Sequence, residues 1–121
     1  MDYNYLLAVY LLMLFFQTLY VFEEVRNEAY KEVGSLSTYL VATSALMLVY
    51  FLPPMLILLG ALWGIYVAFL PTALSIGNGV GHLFRLIKDK SLRSNLVLGL
   101  FLGFSLAITG ILTFLTLLLN L

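Results

Sequence analysis

The side chains that could do chemistry in this chain fall into two short clusters separated by long apolar stretches. The first cluster carries glutamates at 23, 24, 28 and 32, and the second begins with Asn78 and His82. Glu24 and Glu28 are four residues apart, as are Asn78 and His82, so on a helix each pair shares one face. Carboxylates that face an imidazole and a carboxamide form a donor set suited to Zn²⁺, Mn²⁺ or Fe²⁺. The clusters therefore predict a divalent metal site, provided that the fold brings them together.

Composition decides what kind of fold must position these groups. Of the 121 residues, 63% are hydrophobic and 10% are charged, which is more apolar surface than a soluble domain of this length can bury. Four apolar runs are long enough to cross about 30 Å of hydrocarbon, which takes about 20 helical residues. We therefore predict an all-α integral membrane four-helix bundle. It is a single transmembrane domain over 1–121, with helices at about 3–33, 36–52, 55–87 and 96–119.

The prolines predict where the second and third helices meet. Pro53-Pro54 should end the second helix in a tight turn, from which the third helix begins. A straight third helix then rises about 42 Å before it reaches His82, against about 31 Å for the first helix up to Glu24. A kink at Pro71, the glycines at 77–81 or a tilt must absorb this difference if the two side chains are to meet.

The basic residues predict the orientation of the bundle. All six Lys and Arg residues lie in or beside the loops between helices 1 and 2 and between helices 3 and 4. The positive-inside rule therefore places both loops in the cytoplasm and both termini outside. The first and third helices end at the same membrane face, so the acidic cluster and His82 are expected at one depth.

Small and polar residues inside the spans predict how the helices pack. Gly60/Gly64 and Gly99/Gly103 are spaced for close helix approach, and we expect this within the bundle rather than in a homodimer, which remains the alternative. Gln17 lies within the first span and needs an interhelical hydrogen bond. Hydroxyls on the fourth helix should bond across helices or to their own helix carbonyls, at Ser105, Thr109, Thr113 and Thr116.

The two clusters also resemble signatures of the HXXEE family of small four-helix membrane proteins. Tyr20-Val21-Phe22-Glu23-Glu24 is similar to the first signature, and Asn78-Gly79-Val80-Gly81-His82 resembles the second. Tyr20 stands where the family has its first His, and 92–97 lacks the third, Tyr/Pro/Gly signature. The resemblance implies a polar, metal-binding centre of unknown substrate at Glu23, Glu24, Asn78 and His82. Tyr20 would be a poorer ligand than His because a phenol must lose its proton to bind.

The first function that fits these residues is that of a metal-binding membrane protein or metal-dependent membrane enzyme. Glu24 and His82 would ligate the metal, and Glu23 or Glu28 would add a ligand or a general base. Asn78 would hydrogen-bond to one of these ligands and orient it without itself binding the metal. The reaction we expect is attack of metal-activated water on a lipid-borne ester or phosphate.

Other classes of function remain open. The alternative is that the chain is an accessory or structural subunit of a larger membrane complex. A small dimeric transporter ranks lower, because the deepest polar group of the first span is Gln17 rather than an acid. The glutamates could also be a solvated helix extension balanced by Arg26 and Lys31, with His82 among lipid headgroups.

The rest of the composition limits which partners and cofactors the chain is expected to bind. The chain has no cysteine, which excludes disulfides, thiolate nucleophiles and sulfur-ligated metals. Its formal net charge is zero, and without a basic tract it is not expected to bind nucleic acid. The partners predicted are membrane lipids, together with other membrane subunits or a second copy of the chain. Beyond the divalent metal, no cofactor is predicted.

Overall fold

The computed structural model of the chain describes residues 3–26, 34–88 and 96–121, nearly all of them helical. The helices are α1 (Asn4–Arg26), α2 (Leu36–Leu58), α3 (Gly64–Lys88) and α4 (Leu96–Leu119). Each is long and apolar enough to cross a membrane, and no strand occurs among the described residues. The predicted all-α four-helix bundle is confirmed, and it fits a multi-pass membrane protein.

The helices do not pack equally against one another. α3 packs most extensively against α4, α1 also packs on α4, and α2 packs mainly on α3. α1 and α2 touch only lightly. The interior is filled by side chains such as Leu6, Met13, Leu106 and Leu117, while many large apolar side chains cover the outside. An apolar exterior is what a lipid-facing bundle requires.

The predicted end of the second helix at Pro53-Pro54 is wrong. α2 continues through both prolines, and α3 begins at Gly64 rather than at about 55. Because Pro54 has no N–H, the carbonyl of Tyr50, four residues earlier, loses its helical donor. The Tyr10 hydroxyl of α1 donates to this carbonyl at 2.5 Å. The neighbouring helix thus supplies the missing hydrogen bond, so α2 can continue in apolar surroundings.

The connection between α2 and α3 is a short turn at 59–63. Gly60 adopts a φ of +83° there, a conformation that glycine reaches without the steric penalty of a side chain. Trp63, the only tryptophan of the chain, is exposed in this turn. The turn lies at the opposite end of α3 from His82.

The late start of α3 removes the mismatch in depth that the sequence predicted. From Gly64 to His82 the helix rises about 27 Å, and from Asn4 to Glu24 α1 rises about 30 Å. The two side chains therefore reach similar depths without the long third helix that a start at Pro54 would have produced.

The other helix boundaries can be compared only over the described residues. α4 covers Leu96–Leu119, as predicted. α2 begins after Ser35, whose hydroxyl caps the helix by accepting the Thr38 N–H at 3.2 Å. The predicted continuation of the first helix from Arg26 to about 33 lies outside the described residues, and with it the candidate ligand Glu28.

Candidate functional site

The structure brings the lone histidine to the acidic end of α1. His82 of α3 lies with Nδ1 3.9 Å from Oε1 of Glu24, and the two side chains are only 3% and 8% exposed. At least five turns of largely apolar helix precede each of them, so both belong to the interior of the bundle near one end. Ionisable groups buried between membrane-spanning helices are candidates for function by default.

Arg85 of α3 also contacts Glu24. Its Nη1 lies 3.1 Å from Glu24 Oε1 and donates to Oε2 at 3.3 Å, while Nη2 donates to the Tyr20 hydroxyl at 3.2 Å. The Tyr20 ring also meets the His82 ring edge-on, with the centroids 5.5 Å apart. We call these four residues, Tyr20, Glu24, His82 and Arg85, the polar centre.

His82 is the unusual member of the polar centre. Both of its ring nitrogens are buried, and neither has a hydrogen-bond partner among the described residues. A neutral imidazole carries one donor and one acceptor, and each such group left buried and unsatisfied costs about 1–3 kcal/mol. A Cβ at Gly99 of α4 would lie 3.5 Å from Nε2, so α4 closes the ring in on that side. The imidazole is therefore fixed by packing while its binding capacity is unused.

A second polar cluster lies deeper between α1, α2 and α3. Gln17 Oε1 accepts from Asn78 Nδ2 at 3.3 Å and lies 3.5 Å from Ser75 Oγ. Ser75 Oγ also donates to the Tyr50 hydroxyl at 2.9 Å. The interhelical hydrogen bond predicted for Gln17 is present. Asn78, a predicted outer residue of the metal site, has its amide nitrogen in this cluster.

Glu23 faces a different part of the bundle from Glu24. Its carboxylate lies 3.6 Å from Arg26 Nη1. It lines a recess between α1 and α4 that includes Phe101. Adjacent helical residues point about 100° apart, which explains why the two glutamates, both predicted as ligands, have different surroundings. Glu28 lies outside the described residues.

A cleft of about 240 Å³ opens beside the polar centre, between α1, α2 and α3. The wall formed by α1 and α3 includes Gln17, Tyr20, Glu24, Asn78 and Arg85. The wall formed by α2 includes, in chain order, Tyr39, Thr43, Leu46 and Met47. Apart from Val21, the wall formed by α1 and α3 is polar, and the wall formed by α2 changes from polar to apolar along the helix.

The polar centre can be tested as a metal site. Bonds of about 2.0–2.2 Å set neighbouring donors about 3.4 Å apart in a tetrahedral site, and the 3.9 Å between His82 Nδ1 and Glu24 Oε1 is close to this. The His82 imidazole, whose ring nitrogens have no hydrogen-bond partner among the described residues, is therefore suited to be a metal ligand. Within 3–26, 34–88 and 96–121, however, no three His, Asp or Glu side chains come together. Any ion would share Glu24 with the Arg85 guanidinium.

Arg85 belongs to the site although the sequence did not predict it as a site residue. Asn78, His82 and Arg85 are spaced by four and three, so they lie along one helix face, and this spacing could have revealed Arg85. Tyr39 and Thr43 on α2 were also missed, although they are four residues apart. The signal for this second pair is weak, because hydroxyl side chains near a helix start are common.

The fold and the site together fit a multi-pass membrane protein with an internal polar site. A scan of family models, a search of curated proteins and a search of solved structures give no match to this chain. The resemblance to the HXXEE family stays a prediction based on the two motifs.

Proposed function

We propose that this protein binds a divalent metal ion, Zn²⁺, Mn²⁺ or Fe²⁺, at the polar centre and acts as a metal-dependent membrane enzyme. The observation that carries the proposal is the state of His82, whose two ring nitrogens are buried without a partner beside a carboxylate. Buried polar groups are nearly always satisfied in folded proteins. Neutral imidazole is also the commonest metal ligand, so an ion would use the lone pair that the protein leaves free.

Glu24 and His82 would hold the ion. Two protein ligands would leave positions open to water or substrate. Open positions distinguish catalytic from structural sites, although catalytic zinc sites usually have three protein ligands. A metal bound there supplies Lewis acidity and a water that loses its proton near neutral pH. Arg85 supports the site by contacting both oxygens of the Glu24 carboxylate, and Tyr20 in turn accepts a hydrogen bond from Arg85. Outer hydrogen bonds of this kind orient metal ligands.

The experiment compares metal content among variants purified in mild detergent without chelators. We expect about one divalent ion per chain in the native protein and loss of the ion in His82→Ala and Glu24→Gln. Glu23→Gln is the matched control, because it removes the neighbouring carboxylate, which pairs with Arg26. This control should retain the metal.

One result would overturn the proposal: folded native protein that holds no more Zn²⁺, Mn²⁺ or Fe²⁺ than His82→Ala after incubation with each ion. The accessory-subunit alternative predicts that pattern, together with partner proteins that co-purify from native membranes.

A further inference from the structure

The cleft beside the polar centre is large enough for the head of a small amphiphile. Its volume of about 240 Å³ equals about eight water molecules at about 30 Å³ each. This is room for one compact polar group and the first few carbons of a chain, but not for a whole phospholipid.

The cleft is lined by an ion pair whose two members differ in exposure. The Arg85 side chain is 37% exposed, whereas its partner Glu24 is 8% exposed. Arg85 is therefore the more accessible member of the pair. On the opposite wall Tyr39 and Thr43 add hydroxyl groups. A guanidinium beside hydroxyl donors is the combination that recognises carboxylate and phosphate oxygens.

The rest of the α2 wall is suited to an apolar chain. Leu46 and Met47 follow Tyr39 and Thr43 along α2, and Leu46 is also exposed on the outside of the bundle. Because α1 and α2 touch only lightly, a chain leaving the cleft would find its easiest passage between these helices. In a membrane that passage would face acyl chains.

We propose that the cleft binds a single-chain lipid with an oxyanion head, a carboxylate or a phosphate. The head lies against Arg85 and the α2 hydroxyls, and the chain leaves past Leu46 between α1 and α2. The step from bound lipid to substrate rests on the proposed metal site, because Glu24 belongs to both the cleft and the polar centre. Binding itself requires only the cleft.

The test is competitive photo-crosslinking of a diazirine-labelled oleate to the purified full chain in phosphatidylcholine nanodiscs. Unlabelled oleate, lysophosphatidate and neutral monooleoylglycerol compete in separate arms. We expect at least one oxyanion lipid to compete about tenfold better than the neutral lipid, which is the size of a charge-assisted contact. The better of the two oxyanion lipids identifies the head as a carboxylate or a phosphate.

Variants then assign the site. Arg85→Gln should reduce the preference for the oxyanion about tenfold. Arg26→Gln is the matched control, since it removes an exposed arginine that pairs with Glu23 outside the cleft. Leu46→Trp should lower crosslinking by filling the cleft from its exposed wall while leaving every member of the polar centre intact. It therefore tests the site even if Arg85→Gln does not fold.

Equal competition by the neutral lipid, or equal effects of Arg85→Gln and Arg26→Gln, would overturn the lipid inference. Unchanged crosslinking in Leu46→Trp would also overturn it. Metal content measured on the same preparations separates the two proposals. Native protein that binds metal but shows no oxyanion preference removes only the lipid site. Native protein that shows the preference but binds no metal removes only the metal site.

Discussion

The interface between α3 and α4 and the space between α1, α2 and α3 are built in opposite ways. At the first, the backbones are so close that a Cβ on Gly79 would lie 2.7 Å from the Ala107 nitrogen and 2.9 Å from the Gly103 oxygen. At the second, polar side chains meet across a cleft of about 240 Å³. Close packing between small residues holds membrane helices together. The bundle can therefore keep an open, polar side because α3 and α4 are fixed without it.

The largest effect is expected where the packing is closest. Gly79→Ala should reduce the free energy of unfolding by about 2 kcal/mol, within the usual range for overpacking, because backbone atoms of α4 cannot rotate away. Denaturant titration of the protein in mixed micelles measures this change.

Gly77 and Gly81 provide controls on the same helix. A Cβ at either position meets nothing within 4 Å, so alanine should be neutral or stabilise the helix by up to about 1 kcal/mol. If Gly79→Ala behaved like these controls, the close α3–α4 interface would not exist as described.

A smaller effect is expected at the hydrogen bond that permits the prolines of α2. Tyr10→Phe removes the donor to the Tyr50 carbonyl and should reduce the free energy of unfolding by about 1 kcal/mol. In a Pro54→Ala background the residue at 54 again has an N–H for that carbonyl, so the same substitution should have less effect. Tyr5→Phe, at an exposed position of the same helix, is the control. Equal losses in both backgrounds would show that the hydroxyl does not serve the carbonyl that Pro54 leaves unpaired.

The smallest effect is expected within the polar side itself. Gln17→Leu removes the acceptor that lies within reach of Asn78 and Ser75. It should reduce the free energy of unfolding by about 0.5 kcal/mol, near the average for hydrogen bonds between membrane helices. Ser75 keeps its bond to the Tyr50 hydroxyl, and Asn78 borders the cleft. A loss as large as that expected for Gly79→Ala would mean that the polar side also holds the bundle together.

Much of the architecture could be predicted from local sequence. The length of the apolar runs gives four spans, and Gly99 and Gly103 were expected to pack inside the bundle. Both do so, as a Cβ at either position would collide with side chains of α3. Gly60 was paired with Gly64 as a helix-packing motif, yet it lies in a turn with a φ of +83°. Glycine serves both purposes, and its spacing alone does not distinguish them.

The errors arise where one helix depends on another. Pro53-Pro54 predicts a helix end by every local rule, yet α2 continues, and the Tyr10 hydroxyl of a different helix donates to the carbonyl that Pro54 leaves without its helical donor. Arg85 shares a face with His82, but whether it meets lipid headgroups or Glu24 depends on where α3 begins. The sequence thus predicts which residues share a face, whereas the partner of that face follows from tertiary packing.

The exposed turn between α2 and α3 makes the orientation of the molecule measurable. Its Trp63 is the sole tryptophan, and it lies at the end of α3 away from His82. Tryptophan fluorescence of this protein therefore comes from one known end. A water-soluble quencher added outside sealed vesicles, after insertion in a single orientation, would reveal which compartment that indole faces. The polar centre then lies nearer to the other compartment, which would settle the sidedness that the loop charges only predict.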